Sequence, residues 1–233
     1  MSSTGAYLVG RVRIAVKSVS AFAECVQASI LPVFSGIEAS ATEIANAEWD
    51  RLGASSAGED DMSEIADAAQ EAGQEFYDNM MAVRQATLNL FAAGLFHLIE
   101  QQLASMCQDM ATRSDKAPPS DTKIDVVADW FAEHLGVDLR GLTHWAKIDE
   151  LRYLANVVKH GEGTSAKKLR ELNPRLFEHP AYGSIFSEGW ISPLPLGSPL
   201  AGEDLYVNEE SFKGYELAGR GLLCELIGHF EAH

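Results

Sequence analysis

Three cysteines in 233 residues, Cys25, Cys107 and Cys224, are odd in number and far apart, which excludes a disulfide framework, a CxxC redox pair and a zinc knuckle. All three fall in apolar helical contexts, and a reducing compartment is the simplest reading. No stretch approaches the roughly 20 apolar residues that span a bilayer. The opening MSSTGAYLVGRVRIAVKS lacks an apolar run after a basic one, and the chain reads as cytoplasmic and unanchored. Cations are scarce as well: 18 Lys and Arg stand against 34 Asp and Glu, a net charge of -16. Such a balance opposes nonspecific affinity for nucleic acid or anionic membrane, because both need a cationic surface. No Gly-rich phosphate loop, GxSxG elbow or HExxH helix is present, and no cofactor or metal is expected.

What is there is helical periodicity. Leu8, Val12, Ala15, Val19, Phe22, Val26 and Ile30 recur at steps of three and four, predicting a long first helix kinked near Pro32 and resuming through Ile37, Ile44 and Trp49. GASSAGEDD, residues 53–61, reads as a polar connection, with Ser63 as an N-cap. From Ser63 to about Met110 there is no proline, and Phe76, Met80, Val83, Leu88, Phe91, Leu95, Ile99, Leu103 and Met106 keep one helical rhythm. RSDKAPPSD ends it, and Ser120 or Asp121 caps a helix that closes near Gly136. A helix over about Thr143–His160 stops at Gly161, and a short one runs from Thr164 to before Pro174. Four prolines and four glycines between Pro180 and Val207 predict a loop, with room for a short hairpin pairing Trp190–Ile191 with Leu205–Val207. Asn208 then caps a last helix. The expectation is all-α: one domain over residues 1–233, an antiparallel bundle of five to six helices.

Chemistry concentrates at the end of the fifth helix. In LRYLANVVKH, Leu151, Leu154, Ala155 and Val158 form an apolar stripe, with Arg152, Asn156, Lys159 and His160 beside it. Asn156 and His160 are one turn apart, as are Arg152 and Asn156. The window from His144 to His179 carries seven Lys or Arg against five acids, while the rest of the chain totals -18. If any surface meets a phosphate, it is this one. The competing reading is a plain helix ending, with Lys159 and His160 at the negative end of the dipole and Gly161 as a left-handed cap. His97 and Glu100, three apart, read as a buried polar pair tying the long helix to the helix of His160, since a dinuclear metal site needs more carboxylates and the reverse order. The pairs Glu133–His134 and Asp149–Glu150 read as solvated faces.

The run ELRYLANVVKHGEG, preceded by a helix containing FHLIEQQL and followed by a proline-rich loop and ESFKGYELAGRGLLCELIGHF, resembles the HEPN superfamily of prokaryotic helical bundles over about Phe76 to Phe230. The resemblance implies a place in a defence or toxin–antitoxin system, a homodimer, and metal-independent RNase activity or RNA binding at 144–179. His160 matches the family histidine and Asn156 the polar residue that follows its arginine. Ala155 stands where that arginine belongs. The nearest upstream arginine, Arg152, is separated from His160 by seven residues, against the usual four to six. In the implied chemistry His160 shuttles a proton, Arg152 or Lys159 neutralises phosphate charge, and Asn156 orients either. The alternative is a noncatalytic helical module that binds a protein partner, and the sequence leaves open whether the chain is an enzyme.

Overall fold

The apolar stripe that begins at Leu8 becomes α1, Ser3–Cys25, in the computed structural model, which describes residues 3–54, 62–180 and 204–232. Leu8, Val12, Ala15 and Val19 all face the core. Within Thr4–Gly53 one 18-residue window reaches a mean hydropathy of 1.4, apolar and long enough by length and composition to cross a membrane, against the expectation that no stretch approaches this, and 28% of that window is buried in the fold. Near Pro32 the expected kink resolves into two departures from the α ladder: a π turn at Val26–Ile30, then a 3-10 turn at Leu31–Phe34. Proline supplies no N–H to continue the ladder, and the chain tightens to i→i+3 bonding there. It resumes as α2, Ile37–Gly53.

The proline-free stretch forms one helix, α3, Met62–Arg113, of 52 residues and about 78 Å at 1.5 Å per residue. It starts one residue before Ser63, which is therefore not its N-cap. α2 packs on the first part of α3 and has no other substantial neighbour among the described residues, so the two make an antiparallel arm. Ile37, Ile65, Ala69 and Gly73 are its buried positions. At Gly73 the helices touch: a Cβ there would stand 2.9 Å from the Ala41 carbonyl oxygen and 3.0 Å from the Ala45 Cβ. From Leu88 onward α3 runs through the bundle, burying Leu95, Ile99, Leu103 and Met106 against α1 and the later helices.

Asp121 folds the turn before α4, Ile124–Leu135, its Oδ1 accepting the N–H groups of Thr122 and Lys123. The first N–H of α4, at Ile124, is taken by Glu100 Oε1 of α3 at 3.0 Å. Glu100 also meets His97 Nδ1 at 3.3 Å. That pair thus ties α3 to α4, not to the helix of His160, because an open helix N-terminus is where a buried carboxylate finds unpaired donors. Gly136, at φ 69°, ends α4. After a 3-10 turn at Leu139–Gly141 come α5, Trp145–His160, and α6, Thr164–Leu172. A further 3-10 turn at Pro174–Phe177 follows, and α7 spans Glu209–Ala232, capped as expected by Asn208 Oδ1 on the Ser211 N–H.

Among the described residues there is no strand, in keeping with the all-α expectation. Trp190–Ile191 lies outside them. Its predicted partner, Leu205–Val207, is extended but pairs with side chains of α3. Asn89 Nδ2 donates to the Leu205 carbonyl at 2.8 Å and Asn89 Oδ1 accepts from the Val207 N–H at 3.3 Å. Gln85 Nε2 donates to the Val207 carbonyl, and the Tyr206 N–H donates to the Leu176 carbonyl. α7 returns along α1 and presses on α3 at Gly219, where a Cβ would be 2.6 Å from Ile99 Cδ1. Of the cysteines only Cys107 is buried, its thiol pushed up to about 12 by desolvation; Cys25 and Cys224 are exposed on helix surfaces.

Replacing Gly73 by Ala should force α2 away from α3, since the atom it meets is backbone, at about 1–3 kcal/mol. Hydrogen exchange should then quicken tenfold or more at the amides of α2 and stay unchanged in the buried half of α7. Equal protection in α2 before and after the change would contradict the close-packed arm.

Candidate functional site

The stripe read from LRYLANVVKH is as expected: Leu151, Leu154, Ala155 and Val158 are buried in α5. The helix ends at Gly161, at φ 72°, whose N–H reaches the Val157 carbonyl at 2.8 Å. Asn156 is half-buried, while Lys159 and His160 are exposed. None of these three has a hydrogen bond or ion pair among the described residues. α6 begins immediately beyond the turn, with Lys167 exposed in its first turn.

Arg152 stands apart from them. Its guanidinium is held by Asp149, with Nε 2.8 Å and Nη2 2.7 Å from Oδ1, and by Asp125 of α4, with Nη1 at 3.2 Å. It also lies 4.5 Å from the Tyr153 ring centroid. Two carboxylates neutralise it, and eight residues of helix, about 12 Å, separate it from His160. Asp125 is shared with Arg140, itself bonded to Asp129 at 2.7 Å, so the side of α5 toward α4 is an ion-pair chain. The local basic window thins in the same way. Lys147, Arg152, Lys168 and Arg170 each have an acid, with Glu162 gripping Arg170 through two bonds of 2.8 Å. Lys159, Lys167 and Arg175 remain uncompensated among the described residues.

The most connected polar group of α5 is one read above as solvated. Glu150 is buried, its Oε1 accepting from the Tyr215 hydroxyl at 2.6 Å and from Asn173 Nδ2 at 2.8 Å. Lys147 Nζ reaches both carboxylate oxygens, at 2.8 and 2.9 Å, and lies 4.6 Å from the Tyr215 ring centroid. Burial, with the Glu150 charge second, pushes the Tyr215 phenol well above its usual range, so it donates and does not ionise. A signal for this existed: Glu150 lies on an i, i+4, i+7 line with Leu154 and Val157, both buried. The start of α5 is fixed similarly. His144 Nδ1 bonds Glu225 Oε1 of α7, whose Oε2 accepts the Thr143 N–H at 2.8 Å. The His144 ring fills the space over Gly221, where a Cβ would come within 2.4 Å of Nε2. These polar groups hold α5 in place, leaving its last turn as the open chemical surface. Among the described residues no cluster of three or more His, Cys, Asp and Glu could hold a metal ion.

No protein-family model matches the chain, and neither a curated protein nor a solved structure shows significant similarity to it.

Truncating Glu150 to Ala strands the buried Tyr215 hydroxyl and the Asn173 amide, and thermal denaturation should register a loss of about 2–4 kcal/mol. Tyr215→Phe, which removes one donor and strands nothing, should cost about 1 kcal/mol. Equal losses from the two would mean that Glu150 is not the hub. Glu225 carries a pH signature. Burial raises its carboxyl, but the bonds from His144 and Thr143 outweigh that and hold it below the usual 4.5. A depressed folded value stabilises above the unfolded value and is lost as pH falls through the folded one. Glu225→Gln should therefore lower Tm at neutral pH and converge on the parent once pH has fallen below the folded-state value; a gap that persists in acid would remove the charge from the explanation.

Proposed function

We propose that the protein is a HEPN-like helical protein that contacts RNA through the end of α5 and does not cleave it efficiently. The observation that carries this is the pairing of an open histidine with a closed arginine. His160 and Lys159 are exposed and unpartnered among the described residues, with Asn156 one turn behind and Lys167 across the Gly161–Gly163 turn. Arg152, the available stand-in for the family arginine, is spent on Asp149 and Asp125. Histidine titrates nearest neutral pH and suits proton transfer at a ribose 2'-hydroxyl, but charge building on the phosphate needs a nearby cation. Lys159 is that cation, a point charge where the family sets a planar fork. Contact with phosphate is thereby supported better than turnover. In the family pattern two such helix ends meet across a dimer axis, which makes a homodimer part of the proposal.

A noncatalytic protein-interaction module is the second reading, favoured by the small number of uncompensated cations in the 144–179 window.

Binding of a labelled single-stranded RNA, measured at rising salt, separates the two. The first reading expects measurable affinity at low salt, with a slope of log K against log salt near -2, as a two- to three-phosphate footprint gives. Lys159→Glu with Lys167→Glu should abolish it, and His160→Ala should remove any residual cleavage without changing Tm by more than about a degree. If RNA is neither bound nor cut at low salt, the first reading is wrong and the interaction module stands.

A further inference from the structure

The end of α5 offers lysines and no planar fork, but a guanidinium stands beyond the turn on α6. Arg170 is one helical turn from Lys167, on the same side of that helix. Its Nη1 and Nη2 donate separately to Oε1 and Oε2 of Glu162, both at 2.8 Å. Two parallel bonds of this kind are also how a guanidinium grips two oxygens of a phosphate. Arg170 has a second fixed contact that does not involve Glu162: its Cζ lies 4.6 Å from the centroid of the buried Phe177 ring. Glu162 is placed differently. It stands in the turn between Gly161 and Gly163, two residues past His160. Glycine on either side gives the turn several backbone states of similar energy. A Cβ at Gly163 would meet nothing within 4 Å, so there is open space beside the turn. The Arg170 and Glu162 side chains are 26% and 27% exposed, and solvent reaches the pair.

From this we infer that Glu162 is a displaceable guard. In the free protein its carboxylate occupies the Arg170 fork, and a phosphodiester of RNA takes its place on Nη1 and Nη2 when the turn swings out. This rests on the reading of the α5 end as an RNA contact, and it adds to that reading the planar cation that Arg152 cannot supply. Lys159 and Lys167 draw the strand in, and Arg170 stays positioned by Phe177 while its partner changes. Because one bidentate anion replaces another, the exchange is close to balanced. Neutralising Glu162 alone therefore tips it toward RNA, whereas neutralising a neighbouring acid that does not sit on the fork leaves it nearly where it was.

Fluorescence anisotropy of a labelled single-stranded RNA with the full chain, titrated at several salt concentrations, tests the guard. Glu162→Gln should tighten binding about tenfold at low salt. It should also steepen the slope of log K against log salt by about 0.7, one further phosphate on a single strand. Adding Arg170→Gln should remove both effects. Adding Arg170→Lys instead, which keeps the charge and loses the fork, should keep the steeper slope and lose most of the gain. Glu171→Gln takes an equal charge from α6 and should gain no more than about twofold, because Glu171 is 67% exposed and screened. Thermal denaturation checks each fold; should Arg170→Gln uncover Phe177 and unfold the chain, the lysine variant carries the comparison. Binding by the parent that Glu162→Gln leaves unchanged would overturn the guard and keep the RNA contact. No binding by either would overturn both. Equal gains from Glu162→Gln and Glu171→Gln, a gain that survives Arg170→Lys in full, or a gain for inorganic phosphate with none for RNA would each overturn the guard.

Discussion

The hydrogen-bond ladder of α3 runs unbroken for 52 residues, and the rest of the molecule is arranged around that length. At about 78 Å it is more than three times as long as α5, at about 24 Å. The bundle therefore covers only part of it. The buried face also changes along the way. Ile65, Ala69 and Gly73 share one line and Leu88, Ile99 and Leu103 another, rotated by about 130° at 100° per residue. Between Gly73 and Leu88 no side chain is buried. One helix thus serves two packing problems in series, a narrow contact of small residues with α2 and a thick core with α1, α5 and α7.

Helix ends were the most legible part of the fold. Gly136 and Gly161 adopt the positive φ that ends a helix, Asn208 caps α7, and the proline-free run gives α3 nearly to its ends. These signals are local and need no partner. The arm was not legible, because Ala41, Ala45, Ala69 and Gly73 bring two helices close without the large apolar side chains that a periodicity search weighs. Glu150 is hard to read for a related reason. Its partners, Asn173 and Tyr215, lie 23 and 65 residues away, and only its line with Leu154 and Val157 sets it apart from Asp149.

At the end of α5 the apolar stripe, the cap and the exposure of His160 all follow from the local pattern. The state of Arg152 does not, since Asp125 comes from a different helix. Composition overstated the basic window too, because four of its seven cations are already matched. A count of charges per window measures supply; the field at a surface depends on what remains unpaired once helices meet. The same caution applies to the acids, most of whose excess sits on the α2–α3 segment far along the chain from α5.

Asn89 holds both the Leu205 carbonyl and the Val207 N–H with a single side-chain amide, doing the work of a neighbouring strand from within a helix. Together with the bond from Tyr206 to Leu176, it anchors the chain on the near side of α7, while Leu176 and Phe177 are anchored in the core on the far side of the proline-rich segment. The position of α7 is thereby decoupled from the length of what lies between. Closing a loop twice as long costs only about 0.6 kcal/mol more. Lengthening or shortening residues 181–203 should therefore cost the fold little, provided an amide side chain stands at position 89.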